Sequence, residues 1–402
     1  IYATMWPERL LAHPAVETVL QGEIDEALPD WLERRAAGED PAGTPGAWTK
    51  RGGETLRAPE RPLIQDLSKL PPPDRAIYYG YRYLRDFPVK RFSTGRGCPD
   101  CCRFCYNHNL QAVYGREGFA RRKPVPRVIE EIRWMRENAA MRRIYFLDDH
   151  FAADPAWLRA FAEAYAREFR VPFTAQTTVD ALTDEAVELL ARAGCDGVLV
   201  GVETGDEALR ERILGKRFSN DEVVRRARKA RAAGMRFLAN YMMLIPGESA
   251  DSMRMTARFN RRVGTGSFRT QAAFPLPGTP MAEAKVRLGE MTAEQVERLL
   301  AFDAPPVMPI ARLAAHLPKA ERLRRLRGLY LFPSLQAFPR LERFWPLLLR
   351  LPLTPLYAAA FYAFRLETER RLFGVPLLAG LRFFLRAGHP ARKTKNLSQY
   401  VP

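Results

Sequence analysis

The residues best suited to chemistry lie in one short stretch, RGCPDCCRFCY at positions 96–106, which holds four of the five cysteines of the chain. Cys98, Cys102 and Cys105 have the spacing C-x3-C-x2-C. Three thiolates on one loop can each bind one iron of a cubane cluster, which leaves the fourth iron without a protein ligand. Such an iron can bind a substrate or cofactor, as the open position of a catalytic zinc does. The spacing therefore predicts a reactive iron–sulfur centre.

Other interpretations of the same cysteines stay open at this point. Cys101 permits the alternative set Cys98, Cys101 and Cys105, with the two spacings exchanged. A zinc site would need a fourth cysteine or histidine, which His108 could supply. A disulfide framework is disfavoured, because five cysteines in 402 residues are typical of an intracellular protein. The distant Cys195 is expected to be a small buried residue at the start of a strand.

Acidic side chains follow two of the apolar runs that could form strands. Asp148 and Asp149 come directly after one of them. Asp154, before Pro155, is the natural N-cap of the next helix, so the two earlier carboxylates are free for another role. Glu203 follows a second apolar run, where a carboxylate is costly unless it is paired or faces a polar pocket. These positions are candidates for ligand binding.

The cysteine loop resembles the signature of the radical SAM enzymes, C-x3-C-x-aromatic-C, with Phe104 at the aromatic position. Only the set Cys98, Cys102 and Cys105 gives that spacing with the aromatic residue just before the last ligand. The resemblance implies a four-iron four-sulfur cluster whose open iron is chelated by the amino and carboxylate groups of S-adenosylmethionine (SAM). One electron, from a reduced flavodoxin or ferredoxin, would then cleave the sulfonium and give a 5′-deoxyadenosyl radical.

The resemblance also implies roles for residues at the strand ends. In this family the strand end that corresponds to Asp148 and Asp149 contacts the amino group of SAM, and either carboxylate could do so here. Glu203 would bind the ribose hydroxyls, since GVETG is similar to the family's G-h-E-S form and Thr204 keeps the hydroxyl. Gln176, at the end of the third strand, is expected to face the same pocket.

The segment YMMLIPGE resembles the element that packs against the adenine of SAM, so Met243 and Pro246 are expected to line that part of the pocket. Leu244 departs from the family, in which glycine is common at this position. Glu248 is expected to cap the following helix rather than touch substrate. The segment PLPGTP at 275–280 is similar to the turn that closes the sixth strand in one subgroup.

The N-terminal residues resemble the end of the cobalamin-binding domain that precedes this large radical SAM subgroup. Residues 19–25 fit its segment hydrophobic-x-x-G-E-x-E, with Asp25 in place of the last glutamate. The chain opens on Ile1, so the part that would carry a cobalt-ligating histidine is expected to precede it. The resemblance therefore implies cobalamin as a cofactor of the longer protein.

Apolar strand-like runs alternate with amphipathic helical ones through the middle of the chain. The predicted strands are 91–94, 142–147, 172–177, 197–202, 236–245 and 267–274, and the predicted helices are 127–137, 156–169, 184–193, 220–233 and 250–263. Ser219 followed by Glu222 predicts a capping box for the fourth helix. The alternation predicts an α/β fold, a partial (β/α)6 TIM-like barrel of the radical SAM type with its chemistry at the C-terminal strand ends.

Three regions are expected. Residues 1–75 would be a remnant of a Rossmann-like cobalamin domain with its linker, residues 76–290 the radical SAM core, and residues 291–402 a helical, basic region. The net charge is +17, and residues 301–402 hold 17 Lys and Arg against 5 Asp and Glu. Such a balance suits an acidic partner, nucleic acid or an anionic membrane surface, and it is equally typical of an arginine-rich surface.

Two apolar segments of the basic region, 344–350 and 377–386, are flanked by arginine and could pack on the barrel or lie on a membrane. Packing is favoured, because prolines break the region into short pieces. The longest charge-free run there, residues 351–364, is too short to span a bilayer. The expected location is cytoplasmic, with contact to a membrane surface through this region as an open alternative.

The function that these features indicate is a radical SAM enzyme that acts on an unactivated C–H bond, by methyl transfer from SAM through cobalamin. Oxidative cyclisation or rearrangement is the alternative within the same class. A tRNA methylthiotransferase would suit the basic C-terminus, but no second cysteine trio is found in the sequence, so nucleic acid is the less favoured partner. A zinc-bearing nucleic-acid-binding module is the non-enzymatic alternative.

Overall fold

The computed structural model describes residues 1–265, 267–300 and 317–373. Its strands are β1 (Thr18–Leu20), β2 (Ala47–Arg51), β3 (Glu54–Arg57), β4 (Val89–Phe92), β5 (Gly95–Arg96), β6 (Arg121–Arg122), β7 (Arg143–Phe146), β8 (Phe173–Thr177), β9 (Cys195–Glu203), β10 (Arg236–Met243) and β11 (Ser267–Ala272).

The helices up to the centre of the chain are α1 (Tyr2–Met5), α2 (Pro7–Leu11), α3 (Ile24–Ala36), α4 (Ala76–Tyr79), α5 (Arg82–Arg85), α6 (Tyr106–Tyr114), α7 (Val125–Asn138), α8 (Pro155–Glu168) and α9 (Asp184–Arg192). The later ones are α10 (Glu207–Leu209), which continues as a π-helical turn (Arg210–Leu214), then α11 (Asn220–Ala232), α12 (Ala250–Val263), α13 (Pro280–Arg287), α14 (Ala293–Glu297), α15 (Lys319–Ala337), α16 (Trp345–Leu348) and α17 (Thr354–Phe373).

The centre of the fold is a parallel sheet of six strands in the order β11-β10-β9-β8-β7-β4. Helices α7, α8, α9, α11 and α12 connect neighbouring strands, as parallel pairing requires. In the part of the chain that the structure describes, β4 and β11 each pair on one side only, so the barrel is partial. The predicted α/β partial barrel is confirmed, and the predicted strand and helix bounds agree with the observed ones to within a few residues.

Both faces of the sheet are covered, which explains why its strands appear as continuous apolar runs in the sequence. Along β9, Val198 and Val200 belong to the large core beneath the helices. Leu199, between them, packs with Tyr145 and Leu238 in a smaller cluster on the other face. The side-chain period of two therefore divides each strand between an outer core and the barrel interior.

The predicted helix starts are confirmed at two positions. The Asp154 side chain accepts hydrogen bonds from the backbone N–H groups of Ala156 and Trp157 at the start of α8. Ser219 Oγ accepts from Glu222 N at the start of α11, but the Glu222 carboxylate accepts from Arg225 and Arg226, so the predicted capping box is present only in its serine half. Each cap satisfies backbone donors that have no partner inside the helix. The strand ends that precede these helices are thereby held in place.

The N-terminal residues form a small antiparallel sheet in the order β1-β2-β3. Val19 of β1 is buried against Leu11 of α2 and Trp48 of β2. Trp48 Nε1 donates to Gln21 Oε1, and Gln21 Nε2 donates to the carbonyl of Thr4. This part of the chain therefore has a core of its own.

The described part of the basic region is helical and packs against the barrel. Phe268 of β11 contacts Phe332 of α15 and Phe364 of α17, and Trp345 of α16 donates through Nε1 to Ala250 O. The predicted apolar segment at 377–386 lies outside the described residues. Among the described helices, none combines the length and apolar character that a membrane span requires.

Candidate active site

The cysteine loop follows β5 and is held by close backbone contacts. Gly97 has φ of +75°, and a Cβ there would collide with the carbonyl of Phe119, so only glycine fits. Gln111 of α6 donates through Nε2 to the carbonyls of Cys98 at 2.8 Å and Asp100 at 3.0 Å. The loop is thus shaped by its own helix before any cofactor binds.

Of the three cysteines with the family spacing, Cys98 is buried, and Cys102 and Cys105 are partly buried. Burial raises the pKa of Cys98 to about 12 and that of Cys102 to about 11, and it also raises the pKa of Cys105. Backbone N–H groups of Asp100 and Asn107 lower the pKa of Cys98 and of Cys105, respectively, by hydrogen bonding to sulfur. Thiols with raised pKa values lose their protons when they bind a metal, since coordination itself deprotonates them.

Cys101 has a different partner. Its Sγ lies 2.9 Å from His108 Nδ1 in α6. Within the described ranges, no three His, Cys, Asp or Glu side chains come together in the way that a single metal ion requires. The Cys101–His108 contact occupies both side chains with each other, which favours Cys98, Cys102 and Cys105 as the set that faces a cofactor.

The two aspartates after β7 have different surroundings. Asp148 is buried, and its carboxylate accepts from Thr94 N, from Thr94 Oγ1 at 2.7 Å and from Arg122 Nη1 at 3.0 Å. Burial raises the pKa of Asp148, while the Arg122 charge and the Thr94 hydrogen bonds act in the opposite direction. Asp149 is exposed and accepts from Asn107 Nδ2 at 2.8 Å. Of the two, Asp149 is the carboxylate available to a ligand.

Glu203 ends β9 in an unusual backbone conformation. Its φ is +71°, and the pairing of β9 with β10 shifts register here, so that Tyr241 lies opposite Glu203 and Val202 is passed over. The Glu203 carboxylate is buried and lies 2.9 Å from Lys216 Nζ. A left-handed conformation in a residue other than glycine marks a site held by its surroundings. Here the bulge directs a carboxylate to the sheet edge beside the cysteine loop.

Lys216 connects Glu203 to the cysteines. Burial alone would lower the pKa of Lys216, but the charges of Glu203, Cys102 and Asp100 raise it, so the ammonium stays protonated. Lys216 Nζ also donates to Gly201 O at 2.8 Å and lies 5.5 Å from the centre of the Phe104 ring. One cation therefore contacts the predicted ribose-binding acid and the aromatic residue of the signature.

The side chain of Thr204 is used within the protein. Thr204 is fully buried, and its hydroxyl lies 2.9 Å from Thr256 Oγ1 and accepts from Asp206 N at 3.2 Å. Gln176 is half-buried on β8, and its backbone carbonyl accepts from Phe151 N. The contribution of Thr204 to the site is therefore the position of the backbone next to Glu203.

The turn after β10 is braced from two sides. Leu244 has φ of +64°; its N–H donates to Glu248 Oε2 at 2.6 Å, and its carbonyl accepts from Lys285 Nζ at 3.0 Å. Met243 and Pro246, which flank this turn, are buried. The expectation that Glu248 caps α12 is wrong, because Ser249 is the N-cap and accepts from Ser252 N. Glu248 instead fixes the backbone that lacks the family's glycine.

A cavity of about 360 Å³ lies beside the cysteine loop. It is lined by the loop, by β6 and by the residues that follow β4 and β7: Ser93, Gly95, Gly97, Pro99, Tyr106, Ala120, Arg121, Arg122, Leu147, Asp148, Asp149, His150, Ala153 and Asp154. Its size is in the range of ligand pockets, which is about 300–1,000 Å³. The cavity therefore brings both candidate carboxylates, Asp148 and Asp149, to a space that is also lined by Gly97 and Pro99, the neighbours of Cys98 in the sequence.

Three functional candidates escape sequence reasoning. Lys216 follows Gly215 at a helix end, where a lysine usually indicates only a solvated charge. Arg122 Nη1 donates to Asp148 and Nη2 donates to Phe151 O at 2.8 Å, which joins β6 to the end of β7. Asn107 orients Asp149. All three act through contacts between segments distant in sequence, and no spacing pattern signals them.

The N-terminal G-E-x-D segment contacts the cysteine loop. Arg96, two residues before Cys98, donates to both oxygens of Asp25 at 2.8 and 2.9 Å and to Glu23 Oε1 at 3.1 Å. Arg121 donates to Glu23 Oε2 at 2.9 Å and is itself buried. These four residues form an acid–arginine contact that fastens the N-terminal segment to the base of the loop.

The residues present fit the cofactors that the signature implies. Cys98, Cys102 and Cys105 supply three thiols on one loop, and coordination to iron would overcome the burial that raises their pKa values; Gln111 holds the loop. The available carboxylate of Asp149 suits an ammonium group. Donor chemistry, burial and loop support are thus all consistent with a cluster and a bound amino acid.

Comparison with known proteins defines the class. A family model described as "Radical SAM superfamily" matches residues 92–259, the segment from β4 into α12. Residues 92–259 are therefore a radical SAM domain, and the class of enzyme that the cysteine loop resembles is confirmed. Enzymes of this class use a four-iron four-sulfur cluster and S-adenosylmethionine, as the resemblance implies for the core.

Several relatives carry methyltransferase names. An uncharacterized methyltransferase of Pyrococcus horikoshii is 24% identical over 322 residues, which are 74% of this chain and 69% of that protein. Cytidylyl-2-hydroxyethylphosphonate methyltransferase of Streptomyces wedmorensis is 22% identical over 336 residues, 73% of this chain and 61% of that protein. The chain thus spans only about three fifths of the second relative.

Two solved structures share the fold. The radical SAM methyltransferase TsrM of Kitasatospora setae, with cobalamin and a [4Fe-4S] cluster bound, has a TM-score of 0.60 at 18% identity and covers 87% of this chain and 79% of its own. The cobalamin-dependent SAM radical enzyme OxsB, with aqua-cobalamin and SAM bound, has a TM-score of 0.63 at 15% identity, over 93% of this chain and 58% of its own. At identities this low, the structural similarity establishes the fold of the chain and nothing further.

Proposed function

We propose that this enzyme transfers a methyl group from SAM to an unactivated carbon of its substrate, with cobalamin as the intermediate carrier in the whole protein. The observation that carries the proposal is the convergence of Cys98, Cys102 and Cys105 with Lys216 and Glu203 at one edge of the partial barrel. Methyltransferase names among the relatives, and cobalamin in the structural neighbours, support the choice of reaction. Cyclisation or rearrangement would use the same core.

The three cysteines would hold the cluster, which together with SAM supplies the one-electron chemistry that activates a C–H bond. Asp149 would accept hydrogen bonds from the methionyl ammonium, since its carboxylate is exposed and oriented by Asn107. Asp148 would hold the strand end in place, because its hydrogen bonds join Thr94 and Arg122.

Glu203 would accept hydrogen bonds from the ribose hydroxyls, and Lys216 would hold that carboxylate in place through their 2.9 Å ion pair. Burial of a carboxylate without a partner is costly, so Lys216 is needed for Glu203 to occupy this position. The braced turn at Leu244 would present its backbone to the adenine, with Met243 and Pro246 as its apolar flanks. The electron would come from a reduced flavodoxin or ferredoxin.

Anaerobic reconstitution with iron and sulfide, followed by reduction in the presence of SAM, tests the core of the proposal. The chain should hold about four iron and four sulfide and should form 5′-deoxyadenosine. Cys102→Ala should lose the cluster and this activity. Cys101→Ala, the matched control one residue away, should keep both.

Two outcomes would contradict the assignment. If Cys101→Ala loses the cluster and Cys102→Ala retains it, the cluster ligands are Cys98, Cys101 and Cys105 instead of the proposed set. Stoichiometric zinc in place of iron and sulfide would remove the radical chemistry altogether. Methyl transfer itself is tested with SAM that carries a deuterated methyl group, in the presence of methylcobalamin. Mass spectrometry then shows whether the labelled methyl group is transferred.

A further inference from the structure

A second cavity, of about 240 Å³, lies at the open side of the partial barrel. Arg91 of β4 and Arg269 of β11 both line it, and these strands are the two edges of the sheet. Helix α17 forms the outer wall with Phe361, Phe364 and Arg365. The cavity thus lies where the barrel does not close, between its first strand and its last.

The lining combines arginine side chains with aromatic ones. Arg91, Arg269 and Arg365 come from three different elements, and the described lining residues include no Asp or Glu. Arg91 and Arg365 are exposed, so solutes can reach them. Arg91 and Arg269 each have another contact, but a guanidinium group has five N–H donors and can donate to a further acceptor. Arginine binds planar or tetrahedral anions with paired hydrogen bonds, so this lining suits an anion.

One neutral donor in the lining is unsatisfied. Thr270 is 8% exposed, and its Oγ1 has no hydrogen-bond partner among the described residues. A buried hydroxyl without a partner costs about 1–3 kcal/mol. A ligand oxygen at this position would accept a hydrogen bond from the Thr270 hydroxyl and remove that cost. A purely structural role for Thr270 would not explain why its hydroxyl has no hydrogen-bond partner among the described residues.

The cavity is close to the chemistry. Thr270 pairs with Tyr241 and Gln271 with Met242, one residue before the end of β10 at Met243. At about 3.3 Å per residue, the cavity begins within roughly 7 Å of the C-terminal edge of the sheet. A substrate held here by one end would reach the edge where the cysteine loop lies.

We propose that this cavity binds the anionic end of the substrate, a phosphate, phosphonate or carboxylate group attached to an apolar or aromatic portion. The inference rests on the proposed function for its meaning, since it names the substrate class of that enzyme. A volume of about 240 Å³ is below the usual range of whole-ligand pockets, so the cavity holds one part of a substrate and the reacting part lies nearer the cluster.

The test uses inorganic phosphate as the probe, titrated calorimetrically into the whole chain at constant ionic strength. Wild type should bind phosphate with a dissociation constant in the millimolar range. Arg365→Gln and Thr270→Val should each weaken binding, the first by about tenfold or more because a charged hydrogen bond is lost. Arg350→Gln, an exposed arginine away from the cavity, is the matched control and should bind as wild type does.

Iron content and 5′-deoxyadenosine formation are measured on the same samples and should not change. If phosphate binding is absent in wild type, or falls equally in Arg350→Gln, the inference is wrong even when the enzyme cleaves SAM. If phosphate binds as expected but neither wild type nor the variants assemble a cluster, the proposed function is wrong. The cavity is then an anion-binding site without that function.

Discussion

Lys216 Nζ lies 2.9 Å from Glu203 Oε1, and both side chains are largely buried beside the cysteine loop. A buried ion pair adds little net stability, since desolvation offsets the attraction, yet removal of one partner leaves a charge stranded at a cost of about 3–5 kcal/mol. Lys216 is therefore the partner that allows the Glu203 carboxylate to be buried at this edge of the sheet.

Glu203→Ala should weaken SAM binding by about tenfold or more, because a hydrogen bond between a charged group and the ribose is lost. The cluster should be retained, since Glu203 is not a ligand, while the free energy of unfolding should fall because Lys216 loses its buried partner. Calorimetry with SAM on the reconstituted protein measures the change. Glu211→Ala, an exposed glutamate in the adjacent helical turn, is the control. Unchanged affinity in Glu203→Ala would contradict the ribose assignment.

Asp149→Asn and Asp148→Asn should separate ligand binding from structure. Asp149→Asn should weaken SAM binding without loss of stability, because its carboxylate is exposed. Asp148→Asn should lower the free energy of unfolding by about 1.5–3 kcal/mol, because charged hydrogen bonds to Thr94 and Arg122 are lost. Denaturant titrations and SAM calorimetry on both variants give the comparison. The reverse pattern would exchange the two roles.

The stability of the protein should depend on the protonation of Glu248. Burial raises the pKa of Glu248 to about 8 from its ordinary value of 4.5. Between these values the folded state holds a proton that the unfolded state releases. The free energy of unfolding should therefore fall as pH rises through this window, by up to about 1.4 kcal/mol per pH unit, and should level off above pH 8.

Glu248→Gln should remove this slope. The stability of the variant relative to wild type should therefore be higher at pH 8.5 than at pH 6, as measured by urea unfolding across about pH 6–9. Glu294→Gln, at an exposed glutamate paired with Arg298, should leave the slope unchanged. A wild-type stability that rises with pH over this range would show that Glu248 is ionised in the folded state.

Gly201→Ala should disturb the site without a large change in the core. A Cβ at Gly201 would collide with Glu203 Oε1 and lie 2.8 Å from Lys216 Nζ. The ion pair would have to separate, so SAM affinity should fall to the level of Glu203→Ala. Gly234→Ala is not a matched control because its φ is +83°, whereas Gly80→Ala meets open space at negative φ and should be neutral. Full SAM affinity in Gly201→Ala would show that the pair can move freely.

The elements of the barrel were open to prediction because local patterns specify them. Apolar runs, the Asp154–Pro155 helix start and the Ser219 cap are each encoded within a few residues, and they agree with the structure. The cysteine spacing is likewise local. Because the three cysteines lie on one loop, their set can be predicted without knowledge of the fold.

What the sequence left open depends on contacts between distant segments. Thr94, between β4 and β5, and Arg122 of β6 donate to Asp148, and these contacts favour Asp149 as the carboxylate that meets a ligand. Lys216 gains its role only when its helix end packs beside β9. For Glu248, the sequence pattern of a helix start misleads, because the neighbouring Ser249 is the better N-cap and leaves the carboxylate free to bond Leu244 N.

The contact of Glu23 and Asp25 with Arg96 and Arg121 makes the N-terminal segment and the cysteine loop thermodynamically linked. Binding at the cysteine loop that strengthens this contact must also favour the docked position of the N-terminal segment. Binding at the N-terminal segment must favour the loop by the same coupling free energy. Assembly of a cluster on the loop should therefore raise the affinity of the N-terminal segment for any ligand that binds it in the docked position. Occupancy of that segment should in turn make the cluster harder to lose.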